Sequence, residues 1–147
     1  PKTKEFQNYA DVGFGNSQVL PVLAAGFNLD TGSLFIVEQP EIHLHPRAQA
    51  ELGDFFYDLF CRNIQSIVET HSEHLILRLQ QYVAAGKILP SDIAVHYIYA
   101  HDESTKAAIE LQMDERGRFT TQWPEGFFPE RLKEAENLAR LRRSTNR

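Results

Sequence analysis

An α/β fold with a mainly parallel sheet is predicted from about residue 10 to residue 100. Two short apolar segments there alternate with amphipathic helical segments, the order that produces parallel strands joined by helical crossovers. Both apolar segments end in polar residues, and in α/β proteins functional sites lie beyond the carboxyl ends of the strands. Hydrophobic residues make up 42% of the 147 residues, which is enough for a packed core. Beyond residue 100 the pattern changes and predicts a β-hairpin followed by a terminal helix.

The first helix is predicted to begin near Ser17, a residue type that suits an N-cap, and to end at Gly26. Pro21 would then fall in the first turn, where its missing N–H is tolerated. The apolar run 34–37 predicts a strand that is covered on both faces. Pro46 opens the next predicted helix, whose apolar residues recur at the spacing of one buried face. These residues are Leu52, Phe55, Phe56, Leu59 and Phe60.

The second strand is predicted over 64–68, and the helix after it ends at Gly86. Its buried face would carry Leu75, Ile76, Leu79 and Val83. Further along, 93–99 predicts a strand and 107–113 alternates as a half-exposed strand does. A turn at 114–117 would lead to a hairpin partner over 119–122. The remaining predicted elements are an aromatic loop at 123–129 and a charged helix over 130–143.

Composition and charge exclude several classes of protein. The net charge is −5, which argues against a generally basic protein that coats nucleic acid. The single cysteine, Cys61, excludes a disulfide framework and a multi-cysteine zinc site, and we expect it to be buried and inert. No apolar run approaches the roughly 20 residues that span a bilayer, and no signal peptide opens the chain. We therefore expect a cytoplasmic protein without membrane contact.

Three short motifs carry residues suited to phosphate chemistry. Glu38 ends the first strand, where a carboxylate can hold Mg²⁺ through water, although an acid also commonly caps a buried strand. His71 directly follows the second strand and would reach a terminal phosphate oxygen, or else cap the next helix. Gly13 and Gly15 precede a helix that opens at Ser17, and backbone N–H groups in that setting bind anions.

The order and spacing of these motifs resemble the C-terminal half of an ABC-type ATPase head of the SMC/RecF-like class, a P-loop NTPase-like fold. More narrowly, the chain resembles prokaryotic AAA-type ATPases that end in a small domain of unknown function. The runs VEQPEIHLHP and VETHSEHL carry most of this resemblance, and WPEGFFPE looks like the C-terminal piece of the narrower group. The resemblance implies an ATPase part over 1–100 and a C-terminal hairpin and helix over 101–147.

The resemblance also implies a role for each motif. ATP and Mg²⁺ would lie between two heads, most simply a homodimer, with Glu38 of the Walker B strand organising the metal. Gln39 would position the attacking water and His71, the switch histidine, would hold the γ-phosphate. The D-loop region would contain Glu41, His43 and His45, and the signature loop would contain Gly13, Gly15, Asn16, Ser17 and Gln18.

Several positions depart from that class. Its Walker B acid is usually Asp, where this chain has Glu38, and its general base is usually Glu, where this chain has Gln39. An amide orients water but does not accept a proton at neutral pH. Hydrolysis would therefore be slow, or Glu41 would assist, or the proton would pass to the phosphate. The chain also contains no G-x-x-x-x-G-K-[ST] motif, so we expect it to be a fragment whose P-loop half lies elsewhere and which alone binds ATP poorly.

Two alternative functions stay open. A non-hydrolysing, nucleotide-dependent interaction module is favoured by Gln39 and by an aromatic cluster, although these aromatics also suit a core. A metal-dependent hydrolase is indicated by the pairs H-x-H and H-x-x-H. Relatives of the SMC/RecF-like class suggest DNA or an associated nuclease as a partner, and an arginine-rich end would bind DNA in a salt-sensitive way. The aromatics are Trp123, Phe127 and Phe128, the histidines are His43, His45, His71 and His74, and the arginines are Arg140, Arg142, Arg143 and Arg147.

Overall fold

A computed structural model describes residues 14–100 and 106–121. Contacts divide the chain into two units, Pro1–Gln81 and Tyr82–Arg147. The described elements are α1 (Phe14–Phe27), β1 (Leu34–Glu38), α2 (Pro46–Cys61), β2 (Gln65–Glu69), α3 (Glu73–Ala84), a 3-10 turn (Pro90–Asp92), β3 (His96–Ala100) and β4 (Lys106–Glu110). The predicted alternation of helices and strands is therefore present. The boundary at residue 100, which followed from the motifs, stays a prediction.

A parallel sheet of β1 and β2 organises the first unit. The register aligns Leu34 with Gln65 and continues in step to Glu38 opposite Glu69. The crossover between the strands is α2, as expected for parallel neighbours. Because the strands run in the same direction and in register, their polar last residues lie at one edge of the sheet.

The core of this unit forms where one face of the sheet meets α1 and α2. Phe35 of β1 contacts the rings of Phe55 and Phe56 on α2, with centroids 6.1 and 6.5 Å away. Leu59 is fully buried in the same cluster. Each such side chain contributes about 1.5–3 kcal/mol when removed from water. The predicted buried face of α2 is confirmed except at Phe60, which is 39% exposed.

The opposite face of the β1–β2 sheet is apolar and exposed. Leu34, Ile36 and Ile67 are 51%, 63% and 52% exposed, and together they form what we call the open sheet face. The prediction that the first strand is covered on both faces is therefore wrong for the part of the chain that the structure describes. The continuous apolar run identified a strand suited to two-sided burial, but only one side meets described helices.

Helix α1 differs most from its prediction. It is already helical at Phe14, so Pro21 lies in its interior rather than in its first turn. Gly26 lies within the last turn rather than beyond it, and it is buried. A Cβ atom at this position would come within 2.4 Å of the Phe55 Cζ atom. Gly26 thus permits close approach of α1 to α2 instead of ending the helix.

The cysteine expectation is also wrong, because Cys61 is exposed. It is the last residue of α2, two positions beyond the buried Leu59. Two residues correspond to about 200° of rotation around a helix, so Cys61 leaves the apolar stripe. Sequence neighbours such as Leu59 do not determine which side of the helix a residue occupies.

The second unit contains an antiparallel pair of strands. β3 pairs with β4 in a register that aligns His96 with Glu110 and Ala100 with Lys106. The predicted hairpin partner at 119–122 is reduced to one bridge between Met113 and Phe119. The predicted turn is confirmed, since the Gly117 N–H donates to the Asp114 carbonyl at 2.9 Å. The predicted aromatic loop and terminal helix lie outside the described residues.

No helix within the described ranges has the length and apolar character needed to cross a membrane.

Candidate functional site

The candidate site lies at the carboxyl ends of β1 and β2. The register places Glu38 directly opposite Glu69, so both side chains project from the same face of the sheet and both residues are exposed. Neighbouring parallel strands lie about 4.8 Å apart. Two carboxylates are therefore presented side by side at the edge where the sequence predicted phosphate chemistry.

Gln39 is held against Glu69 through both backbone and side chain. Its N–H donates to the Glu69 carbonyl at 2.7 Å, and its side-chain Nε2 donates to Glu69 Oε1 at 3.4 Å. The backbone at Gln39 has a φ of 45°, a left-handed conformation that is uncommon for a residue other than glycine. The chain thus turns sharply off the strand here, with the Gln39 amide beside a carboxylate. The structure therefore bonds Glu69 to Gln39.

Glu41 connects the loop after β1 to the loop after β2. It is only 5% exposed, and its Oε1 atom accepts a hydrogen bond from the His71 backbone N–H at 2.6 Å. Its Oε2 atom is buried without a hydrogen-bond partner among the described residues. The carboxylate is therefore engaged inside the protein, unlike the exposed Glu38, and this argues against its suggested help in activating water.

A second connection joins the same two segments through Gln49 and Ser72. The Ser72 hydroxyl donates to Gln49 Oε1 at 2.8 Å and accepts from the Leu75 N–H at 3.1 Å, which caps α3. Gln49 Nε2 donates in turn to the Leu44 carbonyl at 3.0 Å. The sequence analysis missed both residues. A serine before a helix signals a cap, but nothing in the sequence signals the contribution of Gln49 from within α2.

The histidines of the D-loop region take different positions. His45 is the N-cap of α2, and its Nδ1 atom accepts from the Arg47 N–H at 3.2 Å. His43 is exposed with a φ of 63°, so the loop turns sharply at this residue as well. Within residues 14–100 and 106–121, no three His, Cys, Asp or Glu side chains are grouped as a metal ion would need. The contact of its Nδ1 atom with the Arg47 N–H gives His45 a structural role as the N-cap of α2.

The predicted signature loop is helical where it is described. Gly15, Asn16, Ser17 and Gln18 lie in the first turns of α1, and Gly13 lies outside the described residues. The prediction that the helix opens at Ser17 is therefore wrong, because residues 14–16 are already helical. The structure brings together the strand-end residues at one edge of the sheet. The strand-end residues are Glu38, Gln39, Glu41, Glu69 and His71.

Comparison with known proteins identifies two families along the chain. Residues 88–138 match a protein of unknown function, DUF3696. No curated protein and no solved structure matches the chain. Residues 1–78, more than half of the chain and including every residue of the candidate site, match an AAA domain described as a putative AbiEii toxin of a type IV toxin–antitoxin system. The chain belongs to this family of AAA domains.

Proposed function

We propose that this chain is the signature-to-switch part of an ABC-type, SMC/RecF-like ATPase head that hydrolyses ATP with Mg²⁺. The observation that carries the proposal is the parallel pairing of β1 with β2, which aligns Glu38 with Glu69 and brings Gln39 and His71 to one edge of the sheet. An AAA domain is a nucleotide-binding ATPase domain, and every one of these residues lies within the matched range.

The proposed roles follow from the chemistry of each side chain. Glu38 supplies an exposed carboxylate of the kind that binds Mg²⁺ directly or through water. When bound, Mg²⁺ offsets negative charge on the phosphate oxygens. Gln39 orients the attacking water with its amide, and its contact with Glu69 fixes that amide. His71, exposed after β2, binds the γ-phosphate. Phosphoryl transfer depends mainly on such positioning and charge stabilisation.

The remainder of the ATPase head is proposed from the sheet face that stays exposed in the described first unit. The chain has no P-loop motif, and Leu34, Ile36 and Ile67 form an exposed apolar sheet face. We propose that a P-loop half covers the open sheet face and that a second head, a copy of the same protein, completes each nucleotide site. In such a pair the signature segment would serve the partner's nucleotide.

ATP hydrolysis by the full-length protein tests this proposal. Glu38→Ala and His71→Ala should each lower kcat at least about tenfold, because each removes a positioned contact to metal or phosphate. Glu51→Ala is the matched control, since Glu51 is an exposed acid on α2 in a surface pair with Arg47. If neither site variant lowers a clear rate, the site assignment is wrong. A stoichiometric transition metal that survives dialysis would favour the metal-dependent hydrolase instead.

A nucleotide-dependent interaction module that does not hydrolyse ATP is the second candidate, and Gln39 favours it. An amide beside Glu69 orients water without accepting its proton. Gln39→Glu should raise kcat several-fold if the position is catalytic, with Gln39→Ala as the control for loss of the amide. A wild-type protein that binds ATP, responds to it and does not hydrolyse it would establish the module.

A DNA-related process, with DNA or an associated nuclease as partner, completes the proposal. The arginines of the C-terminal end, which lie outside the described residues, support contact with phosphates. Binding to a DNA duplex should weaken steeply as salt is raised, because counterions are released from the phosphates. An affinity that does not change with salt would contradict this part of the proposal.

A further inference from the structure

Glu41 is the one charged residue that is buried among the side chains that the structure describes. It lies in the short loop that leads from β1 to α2, three residues after Glu38. Its exposure is 5%, close to that of the apolar core, although the neighbouring Ile42 and His43 are exposed. The chain therefore turns a carboxylate inward at the edge of the candidate site.

The burial of this carboxylate is energetically costly. A carboxylate removed from water needs several hydrogen bonds to offset its desolvation, and Glu41 makes one, from the His71 N–H to Oε1 at 2.6 Å. The Oε2 atom is buried with no hydrogen-bond partner among the described residues. An apolar residue would stabilise the fold more simply, so burial of a carboxylate here serves something other than core packing.

The hydrogen bond to Glu41 holds one position in the loop after β2, the backbone of His71. His71 lies 30 residues along the chain, and the bond is made by its backbone N–H. Two further hydrogen bonds, Gln39 to Glu69 and Ser72 to Gln49, hold the residues before and after His71. Loss of Glu41 would remove the side-chain acceptor of the His71 backbone N–H.

We propose that Glu41 is a positioning residue that fixes the backbone of His71 and thereby sets where the histidine ring meets the terminal phosphate. This inference rests on the proposed function for its effect on hydrolysis. The contact itself rests on the part-buried 2.6 Å hydrogen bond between the His71 N–H and Glu41 Oε1. Glu41 acts through His71 and makes no contact with the reacting atoms.

Steady-state ATP hydrolysis by the full-length protein tests the kinetic consequence. Glu41→Ala removes the acceptor and should lower kcat about tenfold or more, since small misplacements cost that much, while KM changes less than about twofold. Glu41→Gln keeps an oxygen acceptor for the His71 N–H and should restore most of the rate. Asp54→Ala, which breaks the pair between Asp54 and Arg78 on the α2–α3 contact, is the control for general loss of stability.

The hydrogen bond is tested separately by NMR of the same protein labelled with ¹⁵N-histidine. The His71 amide proton should move upfield in Glu41→Ala and stay near its wild-type position in Glu41→Gln. An unchanged amide in Glu41→Ala, or a full rate in that variant, overturns the proposal. A rate that Glu41→Gln fails to restore overturns it as well. If the wild type does not hydrolyse ATP, the proposed function fails and takes the kinetic role of Glu41 with it, while the amide shift still decides whether the contact exists.

Discussion

At the scale of single residues, the contact between Gly26 and Phe55 shows how tightly α1 approaches α2. A Cβ atom on Gly26 would lie 2.4 Å from Phe55 Cζ and 3.0 Å from Cε2. The ring of Phe55 has little freedom to move, because it packs edge-on against Phe27, Phe35 and Phe56. Glycine is therefore required here by space and not by backbone conformation.

Gly26→Ala should destabilise the protein by about 1–3 kcal/mol through overpacking, reduced by the roughly 1 kcal/mol that alanine gains over glycine in a helix. Denaturant unfolding measures the net loss. Ala25→Ser, at the exposed neighbouring position, is the control and should change stability by less than about 0.5 kcal/mol. An increase in stability for Gly26→Ala would show that α1 and α2 lie further apart than described.

Some site residues were predictable from the sequence and others were not. Glu38 and His71 were placed correctly at the strand ends because a polar residue after an apolar run marks the carboxyl edge of a strand. The burial of Glu41 was not predictable, because an acid among polar neighbours is normally exposed. Gln49 and Ser72 meet across 23 positions, and no local pattern encodes such a contact.

At the scale of elements, Arg62 joins the end of α2 to the end of α1. Its guanidinium donates to the carbonyls of Gly26, Phe27 and Leu29 at 3.3, 3.4 and 2.6 Å. The last carbonyls of a helix lack intrahelical donors and carry partial negative charge. One cation therefore binds the last two carbonyls of α1 and the Leu29 carbonyl just beyond it.

Arg62→Ala should lower the free energy of unfolding by about 1–2 kcal/mol, because charged hydrogen bonds to partly buried carbonyls are lost. Arg47→Ala is the matched control. The Arg47 and Glu51 side chains are 85% and 56% exposed, and surface pairs of this kind contribute within about 0.5 kcal/mol. Equal effects of the two variants in denaturant unfolding would contradict the capping role of Arg62.

The turn after β4 is held by Asp114. Its carboxylate accepts from the N–H groups of Arg118 and Arg116 at 2.8 and 3.0 Å and from the Arg118 side chain at 2.9 Å. These contacts, the Arg118 N–H above all, hold the pKa of Asp114 below its ordinary value of 3.8. A carboxyl group with a lowered pKa stabilises the folded state more when it is ionised.

The contribution of Asp114 should be complete above its ordinary pKa and lost as the pH falls through the lower, folded pKa. The titration of its carboxyl carbon by NMR should report a midpoint below 3.8. Asp114→Asn should remove this part of the pH dependence of unfolding between about pH 2 and 5. Glu115→Gln, at the exposed neighbouring position, controls for the loss of one charge. A midpoint at or above the ordinary value would contradict the described turn.

The elements themselves were predicted best where the apolar period was strong. The buried stripe of α2 defined that helix, and apolar or alternating segments identified the four described strands to within a few residues. The prediction failed at α1, where Ser17 suggested an N-cap although the helix is already formed at Phe14 and contains Pro21 in its interior. Gly26, a residue type that commonly ends a helix, is needed there for close packing against α2.

At the scale of the whole molecule, the open sheet face exists because the described first unit has a two-stranded sheet with helices packed on one face. Apolar surface exposed this extensively is normally covered by further protein. The face carries β-branched and leucine side chains, Leu34, Ile36 and Ile67, which suit burial against helices. We expect this face to promote self-association when the 147-residue chain is studied by itself.

The 147-residue chain should bind the dye 8-anilinonaphthalene-1-sulfonate and self-associate as its concentration rises. Ile36→Lys and Ile67→Lys should reduce both effects by placing charge on the open sheet face. Leu77→Lys is the control, because Leu77 is 45% exposed on α3 and outside this face. If the control reduces dye binding and association as much as the two isoleucine variants, the open sheet face is not the surface that causes them.

The family matches and the contacts divide the chain in a similar place. The AAA domain match ends at residue 78 and the DUF3696 match begins at residue 88, and contacts separate the units between Gln81 and Tyr82. The boundary at residue 100 stays a prediction, and the strand at β3 was predicted as part of the mainly parallel core. Its partner β4 lies beyond it in the chain and pairs antiparallel, which a motif for one strand does not reveal.

The exposed thiol at the end of α2 gives the protein a natural attachment point for a probe. Cys61 is the single cysteine of the chain, and it lies near Tyr57, whose pKa is raised chiefly by a hydrogen bond with that thiol. A maleimide spin label would therefore attach at one known position without any substitution. If two copies of this chain pair, the two labels give one distance, which pulsed electron paramagnetic resonance would measure.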